Sequence, residues 1–283
     1  MTGSEFEAWL RDPNRRPLVM GVLNVTPDSF SDGGRYLDPQ VAAEQAAVMT
    51  DAGAAIIDIG AESTRPGSAR VTADEQLRRI LPVLRGISRS LRAVVSVDTT
   101  LAEVAEAALD AGASIINDIS AGMDDPPILK LAARRRCPII LMHMLGQPAT
   151  MQLSPSYKDV TGEVAGHLAD RMGEAVAAGV EAGNILLDPG IGFGKTPEHN
   201  LQLLRELGRL VALGRPVVIG TSRKSFIAKV TGETDPGSRL MGTAASVAWS
   251  VAHGAAVVRV HDVEPAARVA RMIRAIQTGR VEQ

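Results

Sequence analysis

The stretch Leu186-Leu187-Asp188-Pro189-Gly190-Ile191-Gly192-Phe193-Gly194-Lys195-Thr196-Pro197 ends one structural element and begins another. An apolar run over 185–187 stops at a carboxylate, and a loop with three glycines follows. Thr196 and Pro197 are typical of a helix N-cap and its first residue. Such an acid either faces a ligand at the edge of a sheet or is the exposed side chain of an ordinary strand-to-helix turn. Recurrence elsewhere in the chain favours the ligand.

Eight apolar runs that end at polar groups alternate with helical patterns along the chain. Runs of Val, Ile and Leu without strict alternation indicate a parallel sheet covered by helices. The predicted strands are 19–25, 55–59, 93–97, 114–116, 138–142, 185–187, 216–220 and 256–260. Eight such units close most simply as an α/β fold of the (β/α)8 TIM-barrel type, about 250 residues long. The rival is an open doubly wound sheet, which requires a Gly-rich phosphate loop after its first strand, and the first loop here is not of that kind.

The predicted organisation is a single barrel domain, 18–283, preceded by an N-terminal extension, 1–17. The extension is polar, so we expect it to be irregular and to cover one end of the domain. Helix predictions place Val41, Gln45, Val48, Met49 and Ala52 on one stripe of a helix. They also place capping boxes at 72–75 and 100–103.

Composition excludes several classes of protein. Of 283 residues, 45% are hydrophobic but only 3% are aromatic, and the net charge is −2. The absence of a basic tract argues against nucleic acid as a partner. No apolar stretch has membrane-spanning length, so no membrane partner is expected. The lone Cys137 indicates a buried thiol in a reducing compartment, and hence a cytoplasmic protein.

Every predicted strand delivers a polar side chain to the same edge of the barrel, where TIM-barrel active sites are built. The opposite strand ends begin with small or apolar residues. The polar set is Asn24, Asp58, Asp98, Asn117, His143, Asp188, Lys224 and the pair Arg259 and His261. Any one of these side chains is weak evidence, because an acid after a strand is more often a helix cap or solvated.

The polar set divides into two kinds of chemistry. Asp98, Asn117, Asp188 and Lys224 offer acceptors and donors that suit a flat, nitrogen-rich heterocycle. Asn24, Arg259 and His261 come from strands one and eight, which adjoin when a barrel closes. They suit a phosphate or pyrophosphate, with the Asn24 amide available to a metal.

Seven motifs together resemble the bacterial dihydropteroate synthase family, over roughly residues 18 to 277. They are 22–34 (VLNVTPDSFSDGG), 62–67 (ESTRPG), 97–99 (VDT), 116–118 (IND), 188–195 (DPGIGFGK), 222–225 (SRKS) and 259–262 (RVHD). The resemblance implies a barrel that joins 6-hydroxymethyl-7,8-dihydropterin pyrophosphate to p-aminobenzoate and releases pyrophosphate. It also implies Mg²⁺ as cofactor and a homodimer.

The resemblance further implies a role for each site residue. The expected pterin-binding residues are Asp58, Asp98, Asn117, Met142, Asp188 and Lys224. The expected pyrophosphate-binding residues are Asn24, Thr64, Arg65, Arg259 and His261, with Asn24 as the metal ligand. The expected p-aminobenzoate-binding residues are Thr64, Pro66, Gly192, Phe193, Lys224 and Ser225. The expected catalytic residues are Asp98, Lys224, Arg259, His261, Asp28 and Phe30. Asp28 and Phe30 belong to a loop over 28–36. We expect this loop and the loop over 63–70 to be mobile.

Three other functions fit parts of this pattern. A methyltetrahydrofolate-to-corrinoid methyltransferase has a similar pterin-binding barrel, but it needs no pyrophosphate site such as Arg259 and His261. A non-catalytic relative would keep the pocket and lose loop residues, whereas both loops are complete here. A sulfonamide-insensitive synthase would differ in the aminobenzoate pocket, and neither 63–66 nor 193–194 indicates such a change.

Overall fold

The computed structural model describes residues 1–26, 38–63, 68, 70–87 and 91–281. Its eight strands are β1 Leu18–Asn24, β2 Ile56–Gly60, β3 Val94–Asp98, β4 Ile115–Asp118, β5 Ile139–Met142, β6 Ile185–Asp188, β7 Val218–Ile219 and β8 Val257–Val260. Its helices are α1 Gly3–Arg11, α2 Pro39–Asp51, α3 Ala73–Gly86, α4 Ala102–Asp110, α5 Pro127–Arg135, α6 Val160–Ala177, α7 Pro197–Arg205, α8 Leu207–Val211, α9 Ser225–Thr231, α10 Leu240–Ala252 and α11 Val263–Thr278. No described helix is both long enough and apolar enough to cross a membrane.

The strands form one parallel sheet in the order β6-β5-β4-β3-β2-β1-β8-β7. A bridge between Leu187 and Val217 brings the two outer strands together, so the sheet nearly closes on itself. The (β/α)8 barrel predicted from the sequence is therefore confirmed, and the open doubly wound sheet is excluded. As predicted, β1 and β8 are neighbours, with Met20 opposite Arg259.

The two-residue period of a strand divides the buried positions into an inner and an outer set. Outward side chains such as Ile57, Val95 and Val258 pack against the surrounding helices. Inward side chains near the strand starts form a separate apolar layer that includes Ile56 and Val94. Two residues further along the same strands, the inward positions are polar. The barrel is therefore filled with apolar groups at one end and lined with polar groups at the other.

The N-terminal segment closes the apolar end of the barrel. Thr2 caps α1 through a capping box with Glu5, and the helix buries Phe6, Trp9 and Leu10. These three side chains join the inward apolar layer of the strands. The expectation that this segment covers one end is confirmed, but the expectation that it is irregular is wrong. Apolar residues at spacings of three and four favoured a helix despite the polar composition. The division at residue 17 stays a prediction.

Three local helix predictions are also wrong. Helix α2 buries Met49 of the predicted stripe, but its other buried residues are Ala42 and Ala46, whose small side chains let the helix approach the sheet closely, and Val48 is 59% exposed. Thr72 makes no side-chain cap. The first turn of α4 is capped from outside, by the Asp125 carboxylate accepting from the Ala102 amide at 2.7 Å, and not by Thr100. The predicted burial of Cys137 is confirmed.

We predict that Phe6→Ala lowers the free energy of unfolding by about 3–5 kcal/mol, because it removes a ring that is 2% exposed and stacked on Trp9. The kinetic constants should stay unchanged, since the ring lies at the end of the barrel opposite the polar lining. Met272→Ala, at a side chain 61% exposed, is the control and should change stability by less than about 0.5 kcal/mol. Urea unfolding and steady-state kinetics check both effects, and an unchanged stability of Phe6→Ala would contradict the role given to α1.

Candidate active site

The polar end of the barrel brings carboxylates from three strands into one cavity floor. Asp58 on β2, Asp98 on β3 and Asp188 at the end of β6 are all at least nine-tenths buried. Asn117 on β4 lies beside them and donates through Nδ2 to Asp58 Oδ2 at 3.1 Å. The structure therefore places together the four polar side chains that the sequence predicted at these strand ends.

The guanidinium of Arg259 bridges two of these carboxylates. It lies 2.6 Å from Asp58 Oδ2 and 2.8 Å from Asp98 Oδ2. The sequence had assigned Arg259 to an anion site separate from the heterocycle half, and this separation is wrong. Because β8 adjoins β1 and the barrel is narrow, a long side chain on β8 reaches across to β2 and β3. Arg259 is thus shared between the two halves.

One oxygen of this cluster has no internal partner. Asp58 Oδ1 is fully buried and makes no hydrogen bond within the described parts of the chain. A buried acceptor without a donor is costly unless a ligand or ordered water supplies one. Asp58 therefore keeps one oxygen whose hydrogen bond the described residues do not supply.

Burial and charge shift the pKa values of the lining groups. Burial and the neighbouring Asp58 raise the pKa of Asp98 to about 7, in spite of the attraction of Arg259. Burial also raises the pKa of Asp188, although its Oδ1 accepts a 2.7 Å hydrogen bond from the Gly190 amide. Burial and the repulsion of Arg259 lower the pKa of Lys224 to about 8. Asp98 and Lys224 are consequently poised to change charge near neutral pH.

Lys224 and Phe193 form the side wall of the cavity. Lys224 Nζ lies 4.0 Å above the centre of the Phe193 ring, a cation–π arrangement. Phe193 also packs with Met142, Met144 and Met151. The backbone of Gly192 has φ +84°, and a Cβ there would lie 3.0 Å from Lys224 Cδ, so a larger residue would displace the lysine. Ser225 is exposed at the first position of α9.

The loop after β7 holds the residues that face β8. Ser222 Oγ accepts from the His261 amide at 3.2 Å and lies 3.1 Å from His261 Nδ1. Which of these two atoms donates depends on the imidazole tautomer, because a hydroxyl can both donate and accept. Burial and the nearby Arg223 lower the pKa of His261 to about 3, so the ring is neutral. Without a bound anion, His261 therefore adds no charge to this end of the barrel.

The sequence reasoning overlooked Arg223, which fixes this loop. Its backbone is left-handed, with φ +59°, an uncommon conformation for a bulky residue. The guanidinium donates to both carboxylate oxygens of Asp262, at 2.7 and 3.1 Å. Arg223 thereby ties the residues around Ser222 to those around His261. A charged residue between Ser222 and Lys224, with an acid directly after His261, was the available signal.

Two further sequence predictions have distinct outcomes. His143 is buried, but its ring contacts Lys195 and His167 of α6 and does not enter the cavity with Met142, because consecutive strand residues face opposite ways.

The predicted residues Asp28, Phe30, Thr64, Arg65 and Pro66 lie outside the described residues, as do most of the two loops, and their roles stay predictions.

The chemistry of Asn24 fits a divalent cation. Its amide oxygen lies beside Gly60 and Asp98 at the mouth of the barrel, where a Cβ on Gly60 would come within 3.7 Å of the oxygen. Mg²⁺ takes oxygen ligands and commonly keeps only one or two from the protein, the rest being water and substrate phosphate. In the described parts of the chain no three His, Cys, Asp or Glu side chains are grouped for a metal, so a cage built only from such protein ligands is not found there.

A nearly closed parallel barrel with polar side chains gathered at the carboxyl ends of its strands is typical of TIM-barrel enzymes. The model of the pterin-binding enzyme family matches residues 20–261. The chain is 47% identical to a dihydropteroate synthase of Synechocystis over 267 aligned residues. The aligned region covers 94% of this chain and 92% of that protein. The chain therefore belongs to the pterin-binding enzyme family, among the dihydropteroate synthases.

Solved structures support the same assignment. The dihydropteroate synthase of Yersinia pestis in complex with a sulfonamide drug has a TM-score of 0.89 and 41% identity, over 93% of this chain and 95% of that one. The Xanthomonas albilineans enzyme in complex with 7,8-dihydropteroate has a TM-score of 0.83 and 39% identity, over 93% and 94%. The resemblance predicted from the seven motifs is confirmed.

We predict that Arg259→Met destabilises the fold more as the pH rises. A raised carboxyl pKa in the folded state gives stability below the unfolded pKa, near 4, that is lost as the pH rises through the folded value. Removing Arg259 raises the folded pKa of Asp98 further. The loss should therefore approach about 3–5 kcal/mol at pH 8, where a buried carboxylate is left unpaired, and shrink toward pH 5.

Chemical unfolding at pH 5, 6.5 and 8 measures this effect. Arg209→Met is the matched control, because Arg209 pairs with Asp159 at the exposed surface, at 3.0 Å. That control should show little loss and no trend with pH. A loss for Arg259→Met that is independent of pH would contradict the charge balance described for the cluster.

Proposed function

We propose that this chain condenses 6-hydroxymethyl-7,8-dihydropterin pyrophosphate with p-aminobenzoate, giving 7,8-dihydropteroate and pyrophosphate. The observation that carries the proposal is the cluster of Asp58, Asp98, Asn117 and Asp188 beneath Arg259 and Lys224. It combines acceptors for the N–H groups of a pterin with a cation, Arg259, for a pyrophosphate, and with Lys224 for the pterin and the second substrate.

The pterin is held by hydrogen bonds to the cavity floor. The ring presents N–H donors along one edge, and Asp188 and Asn117 are the matching acceptors, with Asp58 beneath the ring. Met142 packs on the face of the ring, beside Phe193. A ligand with fewer N–H groups leaves these buried acceptors unpaired, which provides specificity.

The pyrophosphate lies at the mouth, above Arg259. The guanidinium of Arg259 and the imidazole of His261 donate to its oxygens, and Thr64 and Arg65 are assigned to the same group by the resemblance alone. Asn24 would hold Mg²⁺, which when bound neutralises charge on the pyrophosphate and so favours its departure. These donors stabilise the negative charge that develops as the carbon–oxygen bond breaks.

The reaction breaks the bond between the pterin methylene and pyrophosphate and forms a bond from that carbon to the amine of p-aminobenzoate, which gives up one proton. Positive charge spreads into the pterin ring as the leaving group departs. Asp98, as a carboxylate, stabilises that charge, and Lys224 with Phe193 and Ser225 orients the second substrate. Asp28, Phe30 and Pro66 would complete the closed site and exclude water.

We also propose that two copies of this chain form a homodimer through helices α7, α9 and α10. The apolar side chains that these helices expose are Leu201, Val230, Leu240, Met241 and Trp249. The three helices pack on one another, and Trp249 Nε1 donates to the Leu204 carbonyl across α10 and α7. A patch of large apolar groups on adjacent helices is typical of a protein interface.

Sedimentation equilibrium should accordingly give the mass of two chains for the wild type. Trp249→Glu should shift the equilibrium toward monomer, since it places a charge in the apolar patch. Met272→Glu, at an exposed apolar side chain on α11, is the control and should not change the mass. A wild-type monomer at micromolar concentration would exclude the proposed dimer.

A coupled assay of pyrophosphate release tests the proposed reaction. Release should require p-aminobenzoate, and excess chelator should abolish it. Asp188→Asn should lower kcat/KM for the pterin substrate at least about tenfold, because it removes a buried acceptor that a ring donor needs. The control Asp110→Asn changes a surface acid that pairs with Arg135, and it should keep wild-type rates.

The outcomes separate the rival functions. A corrinoid methyltransferase would release no pyrophosphate under any condition, and a non-catalytic relative would bind the pterin without turnover. Near-normal turnover of Asp188→Asn at a pterin concentration below saturation would overturn the role given to the cavity floor.

A further inference from the structure

Lys195 is a buried cation that the proposed reaction does not use. Its side chain is in a residue only 2% exposed, at the end of the loop between β6 and α7. Nζ lies 2.9 Å from His143 Nδ1, 2.9 Å from the Phe193 carbonyl oxygen and 3.5 Å from the His143 carbonyl oxygen. All three acceptors are neutral, and together they can use all three hydrogens of the ammonium group. Lys195 therefore ties the end of β5 to the loop after β6.

The contact of Lys195 with the Phe193 carbonyl acts on Phe193, whose large side chain faces the cavity. Phe193 lies between Gly192 and Gly194, which have φ angles of +84° and +62°. Because glycine has no side chain, these two residues do little to fix the backbone conformation around Phe193. The amide of Gly192 donates to Asn200 Oδ1 at 2.7 Å, and the carbonyl of Gly194 accepts from Tyr157 Oη at 2.8 Å. Of the side chains in these contacts, only Lys195 holds the carbonyl of Phe193 itself.

We propose that Lys195 is a positioning residue for p-aminobenzoate: its buried ammonium fixes the Phe193 peptide, and the Phe193 ring in turn fixes Lys224. The contact of 4.0 Å between the ring centre and Lys224 Nζ provides the second link. This inference rests on the proposed function, since it requires Phe193 and Lys224 to contact the second substrate.

The surroundings of Lys195 make this tie dependent on pH. Burial and the repulsion of Lys224 lower the pKa of Lys195 to about 7, against the attraction of Asp188. Burial also lowers the pKa of His143, so that ring stays a neutral acceptor. His167 on α6 packs edge-on against His143, and its own pKa is lowered by burial. A neutral Lys195 has two hydrogens for three acceptors, so the tie weakens as the pH rises through 7.

A double-mutant cycle with Phe193 tests the proposal. Lys195→Met should raise the KM for p-aminobenzoate about tenfold, with a clearly smaller rise in the KM for the pterin substrate and kcat within about twofold of wild type. Phe193→Ala should raise the same KM. Because Lys195 acts through Phe193, the double variant should match Phe193→Ala within about twofold. A merely structural role would make the two effects multiply.

Two comparisons complete the test. Tyr157→Phe removes one hydrogen bond from the neighbouring Gly194 carbonyl, and it should change the KM for p-aminobenzoate less than about twofold. The ratio of this KM between Lys195→Met and wild type should fall between pH 6 and pH 8.5, since the wild type loses its own tie. If Lys195→Met does not fold, Lys195→Gln keeps one donor for the Phe193 carbonyl and should give an intermediate rise.

Three results would overturn the proposal. They are multiplicative effects in the double variant, an equal rise in the KM of both substrates, and an effect of Tyr157→Phe as large as that of Lys195→Met. A failure of the proposed function is distinguishable, because the wild type would then release no pyrophosphate on addition of p-aminobenzoate.

Discussion

Two carboxylates on adjacent strands and one guanidinium from across the barrel set the conditions for everything else in the cavity. Asp58 and Asp98 are buried, and Arg259 lies within 2.8 Å of both. Burial and the repulsion of Asp58 raise the pKa of Asp98, and the attraction of Arg259 opposes this rise, so that the pKa of Asp98 is about 7. In the proposed reaction the same arginine donates to the leaving pyrophosphate, so that anion and the two carboxylates would share one cation.

The strand period explains why such a cluster is compatible with a stable barrel. Ile56 and Val94 fill the closed end together with α1, whereas Asp58 and Asp98, further along the same inner faces, line the open end. Alternate residues such as Ile57 and Val95 pack outward on helices and supply the larger hydrophobic cluster. The apolar packing is thus separated from the polar lining by only a few residues along each strand, and the cost of burying charge falls on a small part of the molecule.

The sequence predicted the barrel, its eight strands and the residues of the cavity floor, because these follow from local apolar runs and from the end at which each run stops. It did not predict what depends on distant pairing. Arg259 reaches carboxylates 161 and 201 positions earlier in the chain, and no local pattern encodes that contact. His143 was predicted to face the cavity and does not. Ile140 and Met142 face inward, and since successive strand residues alternate, the next residue, His143, faces outward. Lys195 stood in the most informative stretch of the chain, but only the fold shows that its partner is at the end of β5.

The closure of the barrel by α1 also has a spectroscopic consequence. The chain contains only two tryptophans, and Trp9 is buried in that closing helix while Trp249 is on the outer surface of α10. Neither indole is in the pterin cavity, so their emission reports separately on the sealed end of the barrel and on the α10 surface. Trp9 is surrounded by Phe6 and Leu10 and hydrogen-bonds the Arg16 carbonyl at 2.7 Å, and Trp249 stacks on His253. Single-tryptophan variants of this chain would therefore give two independent optical signals, one for each region.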